Sequence, residues 1–254
     1  MSPVKASHTA RERARAELTR EITEEARRQL AETGAQGLSL RAVARELGMV
    51  SSALYRYFPS RDDLLTALII DAYNALGAAA EAAAGPDAGG GPGGLRPRVR
   101  WLAACHAIRD WALAHPHEYA LIYGSPVPGY RAPQATIGPA SRVPLAFSRV
   151  LADAVASGEL LGAGALPAAA SVPGGHASLG GALAAQAETL AAALAASGAS
   201  AVPPDMLVRA VIAWTQLYGM ISFELFGQFV GSFEPADALF AYAVAHLAAF
   251  VGLH

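Results

Sequence analysis

Four polar side chains within six residues form the group whose chemistry is clearest in this chain. Ser51, Ser52, Tyr55 and Arg56 can all form hydrogen bonds, and their spacing places them on one side of a short helix. Leu54 lies on the opposite side, where it is expected to be buried. Hydroxyl and guanidinium groups on an exposed helix face suit contacts with the base edges and phosphate oxygens of DNA.

The preceding residues predict the element that would position this polar group. Leu40, Val43 and Leu47 recur at three- to four-residue spacing and give a first helix an apolar face. Ser39 precedes that helix as an N-cap, and Gly48 ends it because glycine adopts a left-handed backbone at little cost. Two short helices joined by such a turn are a helix-turn-helix, which places its second helix in the major groove of DNA.

The second helix has predicted limits as well. Ser51 is expected to begin it, Phe58 to dock on the first helix, and Pro59 to end it. Ser60 and Asp63 then form a capping box for a third, longer helix. The head of the protein is therefore predicted to be three-helical.

The order of residues across this segment is distinctive. It reads Leu47-Gly48-x-x-x-x-x-Leu54-Tyr55-x-Tyr57-Phe58, followed by Arg61-Asp62-Asp63-Leu64-Leu65. Over about residues 10–70 the chain thus resembles the DNA-binding domain of the TetR family of bacterial transcriptional regulators. Family members usually have Ser or Thr at the position of Val50 and often His at that of Tyr57. Val50 has no side-chain acceptor, so Ser51 is expected to begin the recognition helix.

The resemblance implies binding to double-stranded DNA, as a homodimer on a pseudo-palindromic operator. We expect Ser51, Ser52 and Arg56 to meet base edges or nearby phosphates. The residues expected mainly to hold the DNA backbone are Ser39, Arg41, Tyr55, Tyr57 and Arg61.

The distribution of charge favours the same partner. Residues 1–61 hold 11 Lys+Arg and 7 Asp+Glu, a net charge of +4, whereas residues 62–254 hold 8 and 14, a net charge of −6. A basic head on an acidic body suits contact with a polyanion. The alternative is a salt-bridged surface helix, because residues 11–32 mix both signs at i,i+4 spacing.

Composition and periodicity predict an all-α chain. Apolar residues make up 53% of the 254 residues, and no alternating strand pattern occurs. We predict a helix-turn-helix domain at residues 1–60, with residues 1–8 disordered, and a helical ligand-binding and dimerisation domain at residues 61–254. Helices are expected at 10–33, 61–84, 96–114, 139–157, 178–196, 205–229 and 235–252, with flexible segments at 85–94, 159–177 and 197–204.

The second domain carries a further resemblance. His115-Pro116-x-x-Tyr119-x-x-x-Tyr123 and Trp214-x-x-x-Tyr218-Gly219 resemble the C-terminal regulatory domain of one TetR subgroup, which often has Trp-x-x-x-His-Gly at the second place. In the family this domain binds a small effector and forms a homodimer. The helices at 205–252 are apolar on several faces, which predicts an association surface there; a large single-chain core is the alternative.

Aromatic side chains on helices otherwise built from Ala and Leu predict an effector pocket for a mainly apolar ligand. The candidate lining residues are Trp101, Cys105, Trp111, Tyr119, Tyr123, Phe147, Trp214, Tyr218 and Phe223. Each of them could instead belong to an ordinary core. Arg109, Asp110 and Arg131 are the charged residues available to orient a ligand.

Catalytic patterns are weak throughout. His176-Ala177-Ser178-Leu179-Gly180 lacks the first glycine of a nucleophile elbow, and the glycine-rich segment 85–94 lacks the Gly-Lys-Ser/Thr of a phosphate loop. His115 and His117 have no Cys or acidic cluster beside them, so neither an enzyme nor a cofactor is expected. Cys105 is the only cysteine, and no leader or membrane span is evident, which favours a soluble cytoplasmic protein.

These observations together favour an all-α homodimeric regulator of the TetR type, a repressor released by a small ligand. Ligand binding would tilt the helix at 61–84 and change the distance between the two heads. The runner-up is a constitutive DNA-binding dimer without an effector, whose second domain would be filled.

Overall fold

The computed structural model of the protein describes residues 3–85, 95–159, 180–196 and 202–254. Their helices are α1 (Pro3–Gly37), α2 (Leu40–Glu46), α3 (Ser51–Leu54), α4 (Arg61–Ala84), α5 (Pro97–Ala114), α6 (Pro116–Tyr123), α7 (Ile137–Ser157), α8 (Gly181–Ala196), α9 (Pro204–Leu225) and α10 (Asp237–Phe250). No β-strand occurs in these four ranges. The all-α prediction is confirmed.

Several predicted segments lie outside the described residues. They include most of the segments 85–94 and 159–177, the start of the 197–204 segment, and the elbow-like sequence up to Leu179. At the N-terminus the helix α1 already begins at Pro3, where disorder was expected. Its regular helix ends at Gly34, whose φ of 68° breaks the helical backbone.

The helices form two compact units. The head unit comprises Met1–Ala75 and His115–Ala140, and the body unit comprises Leu76–Ala114 and Ser141–His254. This division differs from the predicted boundary after residue 60. The difference arises because the first half of α4 shares the core of the helix-turn-helix, and residues of α6 pack against that core.

The head unit is organised around one apolar core beneath the helix-turn-helix. Its most deeply buried side chains are Ile22, Ala26, Val43, Ala44, Leu54, Leu64, Leu65 and Leu68. Arg27 of α1 joins the unit's outer elements, because its guanidinium lies 2.7 Å from a carboxylate oxygen of Asp71 in α4 and 3.1 Å from one of Glu118 in α6. These contacts hold α2 and α3 on a rigid base.

The body unit packs α5, α9 and α10 against one another, with α8 lying on α9. Leu217 and Ile221 of α9 and Phe240 and Val244 of α10 are almost fully buried. The helix α8 buries only one residue, Ala187. The helices α4 and α9 are long and apolar enough to cross a membrane by length and composition, a property that core helices of soluble proteins share.

Candidate nucleic-acid interface and ligand cavity

The turn between α2 and α3 has the predicted local chemistry. The Ser39 hydroxyl caps α2 by accepting from the backbone N–H of Ala42 at 3.5 Å. Gly48 has a φ of 63°, the left-handed conformation that glycine accepts most easily. Val50 makes no side-chain cap, and α3 begins at Ser51. Ser60 caps α4 by accepting from the N–H of Asp63 at 3.1 Å.

The recognition helix is shorter than the sequence pattern suggested. Its α-helical part is Ser51–Leu54, and a turn continues to Tyr57, whose N–H donates to the Leu54 carbonyl at 2.8 Å. Leu54 and Phe58 are buried on the core side. The opposite side presents three side chains to solvent, namely those of Ser52, Tyr55 and Arg56.

Three arginines provide exposed positive charge on the same two helices. Arg41 and Arg56 are exposed, and neither makes an ion pair with any residue that the structure describes. Arg45 lies one helical turn after Arg41 and is also exposed, 3.5 Å from the carboxylate of Glu46. Sequence analysis missed Arg45, although its i,i+4 spacing from Arg41 places both on one helix face.

Arg61 has a different role from the predicted one. Its guanidinium donates to the backbone carbonyls of Ala35 at 2.6 Å and Leu38 at 3.2 Å. These carbonyls end α1 and lead into α2, where helix geometry leaves acceptors without intrahelical partners. Arg61 therefore ties α4 to the start of the helix-turn-helix. The half-buried ring of Tyr57 is likewise engaged, because the guanidinium of Arg15 lies 5.4 Å from its centroid.

The body unit contains an apolar cavity of about 210 Å³. Of the predicted ligand-binding residues, Trp101, Phe147 and Trp214 line it. The other lining residues are Pro144, Ser148, Leu151, Leu190, Leu194, Leu207, Ala210 and Val211. The rings of Trp101 and Phe147 lie 4.5 Å apart, so α5 and α7 contribute one aromatic wall.

The remaining six candidates do not border this cavity. Cys105, Trp111 and Tyr218 are buried in the packed part of the body unit, where burial raises the pKa of the Cys105 thiol far above its ordinary range. Tyr119 and Tyr123 belong to the head unit, where Tyr119 is fully buried and the two rings lie 5.3 Å apart.

The sixth candidate, Phe223, is more than half exposed on α9. Its ring lies 5.9 Å from that of Phe229, so it belongs to an outer surface. Helical spacing alone could not separate these residues from cavity residues, because core and cavity positions recur with the same period.

Two arginine contacts tie the end of α4 to the helices that line the cavity. Arg142 of α7 forms a bidentate pair with Glu81, with oxygen–nitrogen distances of 3.0 and 2.5 Å, and it lowers the pKa of that carboxyl. Arg100 of α5 is almost fully buried and donates to the Ala84 carbonyl and to Asp153 of α7, each at 2.5 Å. A Cβ at Gly77 would lie 2.6 Å from the Cβ of Arg142, so α4 and α7 also approach closely.

Arg109 is not available to orient a ligand. Its guanidinium forms a bidentate pair with Glu224 of α9 at 2.8 and 2.6 Å, and it lies 3.1 Å from Asp237 at the start of α10. The charge also sits 5.0 Å from the ring centroid of Phe240. Arg109 lowers the pKa of the Asp237 carboxyl. This network joins α5, α9 and α10.

Comparison with known proteins relates both halves of the chain to one group. A family model described as bacterial regulatory proteins, tetR family, matches residues 22–68, and one described as tetracyclin repressor-like, C-terminal domain, matches residues 101–247. HTH-type transcriptional regulators of Mycobacterium tuberculosis and Mycobacterium bovis are 45% identical over 152 residues. That alignment covers 58% of this chain and 61% of each relative, less than two thirds of their length.

Solved structures extend the likeness over nearly the whole chain. SCO4313, described as a regulatory protein, is 35% identical with a TM-score of 0.67, and the match covers 94% of this chain and 98% of that one. A protein of unknown function from Rhodococcus sp. RHA1 shares the fold at 23% identity and a TM-score of 0.60, with 92% and 93% covered. The family models describe regulatory proteins, which confirms the interpretation of a regulator rather than an enzyme. The chain therefore belongs to the TetR family of bacterial regulatory proteins.

Proposed function

We propose that the protein is a cytoplasmic, homodimeric transcriptional repressor that binds double-stranded DNA and is released by a small, mainly apolar molecule. The observation that carries this proposal is the outer side of α3 and its following turn. There Ser52, Tyr55 and Arg56 face solvent while Leu54 anchors the segment in the core. Hydroxyl and guanidinium groups on a firmly seated helix are the side chains that contact base edges and phosphates.

Electrostatics on the neighbouring helix supports the same partner. Arg41 and Arg45 add two exposed positive charges on α2, next to that of Arg56 after α3. Exposed arginines without a strong internal partner keep their full charge available to phosphate oxygens. We expect Ser51 and Ser39 to approach the DNA at helix ends, where backbone N–H groups also face an anion.

Footprinting on the DNA upstream of the protein's own gene tests this proposal. Wild-type protein is expected to protect a pseudo-palindrome whose half-sites lie about one helical turn apart, roughly 34–36 Å. Tyr55→Ala and Arg56→Ala should each weaken protection by on the order of tenfold or more. Arg149→Ala is the matched control, because it removes one exposed charge from the body unit. Equal protection by all four proteins would contradict the proposed interface.

The dimer surface is proposed on the outer faces of α9 and α10. Ile212, Phe223 and Tyr242 are about half exposed or more. They belong to two helical rows without any Asp, Glu, Lys or Arg, at positions 212, 215, 216, 219 and 223 of α9 and 238, 241, 242, 245 and 249 of α10. An apolar surface of this kind marks an association site, and two helices from each subunit would form a four-helix interface.

A charge placed in these rows tests the dimer. Leu247 is half-buried, so Leu247→Glu would also disturb the protein's own core, whereas Ala241 is exposed. Ala241→Glu should convert the dimer to a monomer in analytical ultracentrifugation and weaken DNA binding. Ala185→Glu adds the same carboxylate to the exposed face of α8 and should leave a dimer. A dimeric Ala241→Glu protein would place the interface elsewhere.

The effector proposal rests on the cavity and on its links to α4. The helix α7 contributes Phe147 and Leu151 to the cavity wall and holds Glu81 through Arg142. The helix α5 contributes Trp101 and holds the last turn of α4 through the neighbouring Arg100. A ligand that displaces α5 or α7 would therefore move the end of α4, which is one continuous helix down to the head residues. The ligand must bind the non-DNA state more tightly.

A constitutive DNA-binding dimer is the second candidate. The cavity of about 210 Å³ is smaller than typical ligand sites, which span roughly 300–1,000 Å³. The variant Ala210→Phe separates the two candidates, because it fills the cavity without touching the head. An effector-released repressor should lose operator affinity on this substitution, whereas a constitutive binder should keep it. Ala185→Phe on exposed α8 is the matched control, and thermal unfolding verifies that both variants fold.

A further inference from the structure

Two tryptophans in the cavity wall have polar groups with no partner in the protein. The indole N–H groups of Trp101 and Trp214 are completely buried, and neither donates to an acceptor among the described residues. Trp101 lies on α5 and is only 2% exposed, while Trp214 lies on α9. Both side chains line the same cavity.

Leaving such donors without a partner is costly. A buried N–H without an acceptor destabilises a protein by about 1–3 kcal/mol, and native structures contain few of them. Phenylalanine would fill the same volume without this cost. Two indoles around one cavity thus indicate that an acceptor from outside the protein completes the site.

The other lining residues restrict the chemistry of that acceptor. Ser148 is the only other polar side chain in the described lining, and its hydroxyl already donates to the Pro144 carbonyl at 2.8 Å. The rest are Pro, Leu, Val, Ala and Phe, so no described residue of the lining offers a counter-charge. A charged ligand would lose its hydration there without gaining an ion pair.

We propose that the cavity binds a neutral, compact ring compound whose carbonyl or ether oxygens accept hydrogen bonds from the Trp101 and Trp214 indoles. This inference deepens the proposed effector site and rests on it. The size follows from volume: an apolar cavity of about 150 Å³ accommodates benzene, so about 210 Å³ suits one ring or two fused rings. The apolar wall binds the ring body, and the two N–H donors select for oxygen acceptors.

Three bicyclic probes of similar shape test the selection directly. Chromone carries carbonyl and ether oxygens, naphthalene carries no acceptor, and 2-naphthoate carries a charge. Isothermal titration of the full-length dimer should show chromone binding at least about tenfold more tightly than naphthalene, from two hydrogen bonds. 2-Naphthoate should bind more weakly than either.

Tryptophan variants and indole resonances assign the effect to the two donors. The chain has three tryptophans, and Trp111 does not line the cavity, so it is an internal control. Trp101→Phe and Trp214→Phe should each lower chromone affinity on the order of three- to tenfold and leave naphthalene affinity unchanged or improved. Trp111→Phe should change neither. In ¹H–¹⁵N spectra, chromone should shift the Nε1–H signals of Trp101 and Trp214 downfield, but not that of Trp111.

The possible failures are distinguishable. Equal binding of chromone and naphthalene, insensitive to both Trp→Phe variants, would overturn the hydrogen-bond inference while the apolar cavity and the proposed effector role stand. No binding of any probe would overturn the ligand site itself. The Ala210→Phe measurement of operator affinity then decides independently whether this cavity is coupled to DNA.

Discussion

The head and body units treat their polar groups in opposite ways. In the head unit, Arg41 and Arg56 lie in solvent without ion pairs to described residues, above a core that is entirely aliphatic and aromatic. In the body unit, Arg100 and Arg109 are almost fully buried, and each is held by a carboxylate. The difference shows where each unit can bind a partner.

An exposed charge costs little before its partner arrives, whereas a buried donor without a partner is costly throughout. The head unit can therefore present permanent positive charge to a polyanion such as DNA. The body unit pairs its buried charges and leaves only the indoles of Trp101 and Trp214 without acceptors along the cavity wall that the structure describes. A neutral acceptor suits that site, and the two units would accordingly bind chemically opposite ligands.

The largest effect on stability is expected from breaking the buried arginine network of the body unit. Arg109→Met should lower the free energy of unfolding by about 3–5 kcal/mol, because Glu224 would remain largely buried without its partner. Urea unfolding followed by circular dichroism measures this change. Arg20→Met breaks exposed pairs with Glu17 and Glu24 and should cost no more than about 1 kcal/mol. Similar losses for both variants would remove the contrast between buried and exposed charge.

Within the head unit, Arg61 and Arg56 should separate stability from DNA binding. Arg61→Ala removes hydrogen bonds to the Ala35 and Leu38 carbonyls and should destabilise the protein by about 1–3 kcal/mol. Arg56→Ala should change stability by no more than about 0.5 kcal/mol, because its side chain is exposed. Denaturant unfolding in parallel with operator titration shows the separation. An unchanged stability of Arg61→Ala would return this residue to the predicted phosphate contact.

The N-cap of α2 should contribute a smaller amount. Ser39→Ala loses the acceptor for the Ala42 N–H and is expected to cost about 1 kcal/mol. The exposed Ser52→Ala is the control for serine removal and should leave the melting temperature unchanged while it weakens operator binding. A fall in melting temperature for Ser52→Ala equal to that for Ser39→Ala would contradict the assigned roles.

The smallest effect is an acid dependence from the Glu81–Arg142 pair. Arg142 lowers the pKa of Glu81 in the folded protein. The stabilisation is therefore complete above the ordinary carboxyl pKa and is lost as the pH falls through the lowered value. Both side chains are about one third exposed, so the contribution should stay below about 1 kcal/mol. Glu81→Gln should flatten the acid limb of stability against pH, and an unchanged limb would exclude this pair as its source.

Local chemistry made the helix-turn-helix predictable. The cap at Ser39, the left-handed Gly48 and the buried Leu54 depend on neighbours a few residues away, so their types and spacing indicate their structure. The missing cap at Val50 likewise indicated where α3 begins. The roles of Arg61 and Tyr57 were not predictable, because their partners lie on α1, over twenty residues earlier.

The body unit was less predictable for the same reason. Composition indicated a set of aromatics, but only tertiary packing separates Trp101 and Trp214 at the cavity from Trp111 in the core. Tyr119 lies in the head unit because α6 packs on α1, and no periodicity in α6 shows this. The unpaired indole N–H groups have no sequence signature, since any buried tryptophan has the same residue type.

The salt dependence of operator affinity tests the central claim most directly, namely that exposed cations of the head unit bind DNA phosphates. Fluorescence anisotropy should show the logarithm of the association constant falling linearly with the logarithm of salt concentration. The slope should be shallower for Arg41→Ala and Arg45→Ala by about 0.9 for every phosphate that the removed guanidinium would have neutralised. The control Arg149→Ala should keep the wild-type slope. A slope near zero for the wild type, or the same slope for all four proteins, would contradict this account.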